Sequence, residues 1–400
     1  MSNKVLKSSG LSYDMLVIIP VVLLLCLGLT MVASASLLIG AKQFSDPFHY
    51  LFRQVMHIGV GLVISCIIMR IPVALIEKST PFVLLLSLLA LSLIYIPGLG
   101  RQVNGSVRWL RLGAISIQPA EFIKVAFILH LSKFISVNQH DMRQTVFKAV
   151  KPLVLLFIII WLLLMQPDFG SVMVLVSVTC FLLFIGGAPF KPFVLMAVIG
   201  VIILGVIAVS APYRLARLSS FLNPWQNPYG SGYQLTQALM AFGRGGLFGV
   251  GLGNSVQKQF YLPEAHTDFL FAILCEELGL VGGVLVIIAF MFLLIRMYYL
   301  GYQAKKYQCN FPAYCCFGLG FWLALQFMIN IGVNTGLLPT KGLTLPFMSY
   351  GGSSISLNCI CIAIILRISH ELKLVVRPLP VDKKKKPIKQ KQTKSVICLR

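Results

Sequence analysis

The chain has 400 residues, of which 58% are hydrophobic and only 12% are charged. This composition excludes an ordinary soluble domain, because a soluble protein of this length needs more charge to cover its surface. A net charge of +22 would suit a nucleic-acid-binding protein. We assign it instead to the membrane, because basic residues flank membrane spans and attract anionic headgroups. Membrane lipids, and not nucleic acid, are therefore the expected partners.

Apolar runs long enough to cross a bilayer, about 20 residues each, recur from one end of the chain to the other. We predict an all-α polytopic integral membrane protein with about ten transmembrane helices. A large extracytoplasmic loop, at about 212–266, separates the seventh helix from the eighth and contains a short helix at 233–242. The predicted spans lie near residues 15–38, 55–71, 80–97, 119–137, 151–166, 170–187, 190–211, 267–299, 312–335 and 350–370.

The positive-inside rule orients the chain. An even number of spans puts both termini on one side, and the basic loops around Lys133 and Lys305 fall on that same side, which is therefore cytoplasmic. Residues 1–14 form an N-terminal tail and 15–376 the membrane domain. Residues 377–400 form a basic tail, which we expect to be disordered because its charge block has little apolar content. We expect a multi-pass protein of the cytoplasmic (inner) membrane.

The few acidic residues are the main chemical signal. Six of the twelve lie inside or at the edges of apolar spans, where a carboxylate is costly and is a functional candidate by default: Glu121, Asp168, Glu264, Asp268, Glu276 and Glu277. Pro119 suits the first turn of a helix, so Glu121 lies near the positive end of the helix dipole. Lys124 follows three residues later and can pair with Glu121. A purely structural salt bridge is an equal alternative.

Two aspartates and a histidine allow more than one interpretation. Asp168, in a tight outer turn, is either a turn residue or helix cap or a counter-ion for Lys124. Asp268, where the outer loop re-enters the membrane, is either an N-cap, which would lower its pKa, or a base whose pKa is raised by burial beside Phe269. His266 is a weak candidate metal ligand, because a lone histidine is more often only hydrogen-bonded.

Eight cations fall on the outer side, against the positive-inside tendency: Arg101, Arg108, Arg111, Arg214, Arg217, Arg244, Lys258 and Lys341. Anion binding is one reason for them, and four of these outer cations are candidates for that role: Arg108, Arg111, Arg244 and Lys258. Contact with lipid phosphate is the alternative.

The glycine-rich stretch 243–254 follows no strand of a βαβ unit, so it is not a dinucleotide-binding fingerprint. Two interpretations of this stretch stay open: close backbone approach to a phosphate, or close approach to a neighbouring helix. The chain has no CxxC motif, and we interpret the cysteines as small buried apolar residues.

Several blocks, in order along the chain, resemble the signature blocks of the SEDS family of shape, elongation, division and sporulation proteins. Residues 260–266, 333–336 and 339–346 resemble the division members more than the elongation members. Ala120, where serine is common in the family, is a small departure. The blocks that carry the resemblance are Asn104–Leu110, Gln118–Glu121, Gln166–Asp168, His266–Phe269, Gly336–Pro339 and Ser349–Ser354.

The resemblance implies a peptidoglycan glycosyltransferase that polymerises lipid II into glycan strands at the division septum and releases undecaprenyl pyrophosphate. It also implies that Asp268 is the essential aspartate and that Glu121 and Lys124 are the acid–base pair of the fourth span, with Asp168 as their neighbour. The implied partners are lipid II, a class B penicillin-binding protein and other division proteins.

The chemistry of this reaction assigns further roles. A sugar hydroxyl is a poor nucleophile, so we expect Asp268 to act as its general base. The pyrophosphate leaving group needs cationic stabilisation, from the four candidate outer cations or from a divalent ion such as Mg²⁺ or Mn²⁺. A lipid II flippase and a non-catalytic scaffold that recruits the penicillin-binding protein remain alternatives. Glu264, Glu276 and Glu277 have no assigned role except as supports around the site.

Overall fold

The computed structural model describes residues 13–103, 106–112, 115–144, 146–189, 221–339 and 342–376. Within these ranges the chain forms ten α-helices. They are α1 Met15–Phe44, α2 His49–Ile68, α3 Val73–Leu93, α4 Pro119–Gln144, α5 Val146–Met165, α6 Phe169–Gly186, α7 Tyr233–Gly245, α8 Leu270–Lys306, α9 Asn310–Asn334 and α10 Gly352–Val376.

Seven of the described helices are long and apolar enough to cross a membrane, namely α1, α2, α3, α6, α8, α9 and α10. Helix α5 is apolar over the shorter stretch Val150–Met165. Helix α4 is long enough at 26 residues, but three charged side chains interrupt its first two-thirds. The polytopic helical fold is therefore confirmed. The predicted seventh span, 190–211, and the basic tail, 377–400, lie outside the described residues, so the total of ten spans stays a prediction.

A small antiparallel sheet between α3 and α4 departs from the all-α expectation. Its strands, in the spatial order β1-β2-β3, are β1 Gly100–Val103, β2 Ser106–Leu112 and β3 Ile115–Ile117. Strands this short, interrupted by Arg101, Arg108 and Arg111, do not produce a clear two-residue alternation of apolar side chains. The sheet therefore has no clear signal in the sequence.

Helix α8 is broken near its start, which accounts for the length of the predicted eighth span. Gly279 has φ 68° inside it, a conformation that glycine adopts without steric cost. The glycine-rich segment 246–251 fills the break: Val250 and Gly251 donate backbone hydrogen bonds of 3.0 Å each to the carbonyls of Glu276 and Glu277. This stretch therefore approaches a neighbouring helix, one of the two alternatives expected for it. The predicted helix at 233–242 is confirmed as α7.

Polar contacts join the helices at the end of the bundle that holds the start of α1. Asp14 caps α1 by accepting a hydrogen bond from Leu16, and its carboxylate forms a 2.8 Å ion pair with Arg296 of α8. Ser369 of α10 donates to the same carboxylate. The opposite end contains the sheet, α7 and the segments before α8 and α10. Which end faces the cytoplasm stays a prediction.

The cysteines follow the expectation only in part. Eight of them have free thiols, and five of those eight are buried. Cys26 and Cys66 are exposed on α1 and α2, where a small apolar side chain suits a lipid-facing surface.

The close contact between α1 and the segment before α10 yields a stability prediction. A Cβ on Gly28 would lie 2.6 Å from the Met348 Cα, whereas a Cβ on Gly59 of α2 would meet nothing within 4 Å. We expect Gly28→Ala to destabilise the protein by about 1–3 kcal/mol through overpacking. We expect Gly59→Ala to be neutral or slightly stabilising, because it replaces a helical glycine. Thermal unfolding in detergent compares them, and equal melting temperatures would contradict this packing.

Candidate active site

Asp268 lies two residues before α8, at the end of the molecule that contains α7 and the sheet. Two asparagine side chains of α9 hold its backbone: the Nδ2 atoms of Asn330 and Asn334 each donate a 2.9 Å hydrogen bond to the Asp268 carbonyl. The Asn334 Oδ1 also accepts a 3.1 Å bond from the backbone N–H of Ala272. The N-cap of α8 is Phe269, and it makes no side-chain capping bond. The capping alternative for Asp268 is therefore wrong.

The Asp268 carboxyl group is half-buried and lies against the backbone of Gly342. A Cβ at position 342 would come within 2.6 Å of the Asp268 Oδ2. Among the described residues, none donates a hydrogen bond to this carboxylate. Burial, followed by the nearby charge of Glu264, raises the pKa of Asp268 to about 7. Of the two effects weighed for this residue, burial therefore prevails.

His266 is packed between two tyrosine rings. Its ring centroid lies 4.6 Å from that of Tyr50 and 5.6 Å from that of Tyr350. Burial lowers the pKa of His266, which favours the neutral imidazole. Within the described ranges, no group of three or more His, Cys, Asp or Glu side chains could hold a metal ion. A metal-ligand role for His266 stays a prediction, and its observed contacts are aromatic.

The predicted pair at the start of α4 forms. The Lys124 Nζ lies 2.6 Å from the Glu121 Oε1, and the Lys124 side chain is fully buried. The ammonium also lies 5.7 Å from the ring centroid of Trp322. The second oxygen, Glu121 Oε2, is buried without a hydrogen-bond partner in the described structure. A buried pair of this kind is costly to break, because the remaining partner would be an uncompensated charge.

Asp168 caps α6. Its carboxylate accepts hydrogen bonds from the Ser171 backbone N–H at 3.2 Å and from the Ser171 hydroxyl at 2.7 Å. In the described structure the ion-pair partner of Lys124 is Glu121, and Asp168 makes no ion pair with this lysine. The helix-cap alternative is therefore confirmed, and Asp168 is not the direct counter-ion.

The segment before α10 joins the two groups of acids. Gly342 contacts the Asp268 carboxylate, and the next residue, Leu343, lies beside Gly170 at the start of α6. Further on, the Ser353 hydroxyl accepts a 3.0 Å hydrogen bond from the backbone N–H just before α4. These contacts place the start of α4, the start of α6 and the Asp268 carboxylate around the same stretch of chain.

Two of the predicted outer cations lie on β2. Arg108 donates hydrogen bonds to the carbonyls of Gln166 and Pro167, at 3.1 and 2.9 Å. It therefore fastens the sheet to the turn between α5 and α6. Arg111 is exposed. Pyrophosphate binding by these residues stays a prediction.

The other two cations pair with carboxylates of α8. Arg244 approaches Glu276 at 3.4 Å, and its side chain remains 44% exposed. Lys258 lies 2.7 Å from Glu277, and both side chains are buried. Pyrophosphate binding stays a prediction here too, although Lys258 would have to leave a buried partner. Glu276 and Glu277, which had no assigned role, are thus the anchors of the glycine-rich segment and of the residues that follow it.

Sequence reasoning missed Asn330, Asn334 and Gly342. The two asparagines stand four residues apart in an apolar helix, a spacing that places both on one face, and this signal was available. Nothing in the sequence singled out Gly342. Its role depends on the fold, which places the Asp268 carboxylate where a Cβ of residue 342 would lie.

Comparison with known proteins establishes the family. The family model described as "Cell cycle protein", which covers FtsW, RodA and SpoVE, matches residues 14–374. This chain belongs to the SEDS family. A curated relative from Coxiella burnetii, "Probable peptidoglycan glycosyltransferase FtsW", is 48% identical over 90% of this chain and 97% of its own length. The protein of the same name from Legionella pneumophila is 47% identical over 92% of this chain and 94% of its own length.

Solved structures agree on the SEDS fold. A chain from a structure described as "Structural coordination of polymerization and crosslinking by a peptidoglycan synthase complex" superposes with a TM-score of 0.73. It is 26% identical, and the match covers 91% of this chain and 99% of that one. The rod shape determining protein RodA of Thermus thermophilus superposes with a TM-score of 0.62, at 25% identity over 91% of this chain and 98% of its own.

The buried Glu121–Lys124 pair of this SEDS domain yields the second prediction. We expect Glu121→Ala to destabilise the protein by about 3–5 kcal/mol, because it leaves Lys124 charged and buried without a partner. The double variant Glu121→Gln/Lys124→Met removes both charges with similar volumes, and we expect it to be close to the unchanged protein. Thermal unfolding in detergent measures both. A double variant as unstable as Glu121→Ala would contradict the explanation by an unpaired charge.

Proposed function

We propose that this chain is a peptidoglycan glycosyltransferase of the division type, which polymerises lipid II into glycan strands and releases undecaprenyl pyrophosphate. The names of relatives that are 47–48% identical over most of the chain support the activity. The observation that carries the mechanism is the half-buried Asp268 carboxylate, whose pKa of about 7 suits a general base near neutral pH.

The proton balance of the reaction follows from this placement. The acceptor sugar hydroxyl gives its proton to the Asp268 carboxylate while its oxygen forms a bond to the anomeric carbon of the donor glycan. The bond from that carbon to the pyrophosphate oxygen breaks, and the pyrophosphate leaves as an anion without needing a proton. Proton transfer of this kind contributes a factor on the order of 10² to 10⁴.

The leaving pyrophosphate requires cationic stabilisation. Arg111, exposed on β2, and Arg244, partly exposed, are the candidates among the predicted cations with the most accessible side chains. A divalent ion is compatible with the site, because Mg²⁺ is commonly held by one or two carboxylates plus substrate phosphates. A bound Mg²⁺ or Mn²⁺ would neutralise the charge of the leaving group.

The proposal includes a location and a partner. The chain would lie in the cytoplasmic membrane at the division septum, with both termini in the cytoplasm and Asp268 on the outer face. The partner would be a class B penicillin-binding protein, and the synthase complex whose chain superposes on this one supports that inference. The described residues provide no specific observation in favour of the flippase or the scaffold alternative.

Removal of the proposed base yields the third prediction. We expect Asp268→Asn to fold with an unchanged melting temperature but to polymerise no lipid II, because the amide cannot accept the proton. The assay uses purified protein together with its penicillin-binding partner, and Asp46→Asn, in the loop between α1 and α2, is the control that keeps activity. Glycan synthesis by Asp268→Asn at the normal rate would refute the assignment, and scrambling of labelled lipid II without polymer would favour the flippase.

The pKa of Asp268 yields the fourth prediction. The base form exists above the pKa, so the rate should rise with pH through about 7 and level off above it. Glu264 is the second cause of the raised pKa, so Glu264→Gln should lower the pKa and move the rise in rate to lower pH. Initial rates of glycan synthesis between pH 5 and 9 measure both curves. A rate that is already nearly constant from pH 5 upward in the unchanged protein would contradict the buried base.

A further inference from the structure

Two adjacent carboxylates of α8 hold the segment that leads to Asp268. Glu276 is fully buried and accepts hydrogen bonds from the Ser255 hydroxyl and from the backbone N–H groups of Val256, at 2.9 Å, and Gln257, at 3.4 Å. A buried carboxylate with several donors is well stabilised, and each bond restricts the position of the donor. Glu276 therefore fixes residues 255–257 against the helix.

Glu277 binds the next residue of the same segment and connects it to α1. The Lys258 Nζ donates a 2.7 Å bond to the Glu277 Oε1 and a 2.8 Å bond to the Ser34 hydroxyl. The Ser34 hydroxyl in turn donates a 2.7 Å bond to the same carboxylate oxygen. The Lys258 ammonium, the Glu277 carboxylate and the Ser34 hydroxyl thus form one largely buried triangle across three segments.

Residues 258–268 form a loop whose two ends lie on α8. One end is held by Glu276 and Glu277, and the other continues directly into the helix. Near the first end, the Leu262 N–H donates a 2.8 Å bond to the Gln257 carbonyl, and near the second the Phe269 N–H donates to the Glu264 carbonyl at 3.3 Å. A loop with both ends fixed has few conformations left to lose when its side chains bind a substrate.

We propose that Glu276 and Glu277 are positioning residues that clamp the base of the 258–268 loop and thereby hold Asp268 against Gly342. This inference rests on the proposed function, in which Asp268 is the base. Neither glutamate contacts the reacting atoms. Their burial inside a membrane span, which is costly for a carboxylate, is explained by the geometry that they maintain.

A clamp role and a pyrophosphate-binding role for Lys258 predict different activities when the charges at positions 258 and 277 are exchanged. If Lys258 serves the clamp, only its pairing with the residue at position 277 matters, and exchanging the two charges should restore function. If Lys258 instead binds the pyrophosphate, the exchanged protein has lost that cation and stays inactive. The double variant Lys258→Glu/Glu277→Lys therefore separates the two roles.

The first experiment measures lipid II polymerisation by the purified chain with its penicillin-binding partner. We expect Glu277→Gln and Lys258→Ala to lower kcat by a factor on the order of 10², because a displacement of about 1 Å in a catalytic group has an effect of this size. The exchanged double variant should recover most of the loss. The matched control is Asp14→Asn, which weakens a partly buried ion pair at the opposite end and should keep normal activity.

The second experiment is independent of activity. Hydrogen–deuterium exchange should show protected backbone amides at 256–258 in the unchanged protein, and Glu276→Gln and Glu277→Gln should speed exchange across 255–268 while α9 stays protected. Normal activity together with unchanged exchange in both variants would overturn the clamp. If the unchanged protein makes no glycan, the proposed function fails, and the exchange data still decide whether the clamp exists. If the double variant does not fold, the single variants decide the matter.

Discussion

The Asp268 carboxyl group is half-buried and receives no hydrogen bond from the described residues. Several neighbouring elements hold it in that position. Two asparagines of α9 bind its carbonyl, Gly342 leaves space for its oxygens, and the preceding loop is held on α8. A carboxylate that received two or three donors would have a lowered pKa and would be a weak base. The surroundings instead hold the backbone firmly and leave the acidic group free to exchange a proton.

The buried ion pairs of the described structure have a different role from Asp268. Glu121 with Lys124 and Glu277 with Lys258 are buried and paired at 2.6 and 2.7 Å. Such pairs add little net stability compared with apolar residues of the same volume, but breaking one is costly. They therefore act best as devices that specify geometry. One lies where α4 begins, and the other lies beneath the 258–268 loop.

Much of this arrangement was accessible from the sequence, because local patterns carry it. Apolar runs located the described spans, Pro119 marked the start of α4, and the three-residue spacing predicted the Glu121–Lys124 pair. The sequence also singled out Asp268, although it could not decide between a cap and a buried base. That decision depends on Gly342, 74 positions further along the chain, because its backbone helps to bury the carboxylate. The partners of Glu276 and Glu277 were equally inaccessible, because they depend on how the glycine-rich segment folds back onto the break in α8.

Burial keeps the Asp268 carboxyl group protonated to near neutral pH, so that its base form appears where the proposed enzyme works. Infrared difference spectroscopy of the purified protein, titrated from pH 4 to 9 and compared with Asp268→Asn, measures this group directly. We expect a carboxylic acid band that is absent in the variant and that disappears from the unchanged protein with a midpoint near pH 7. A midpoint near 4, the ordinary value for aspartate, would contradict the account.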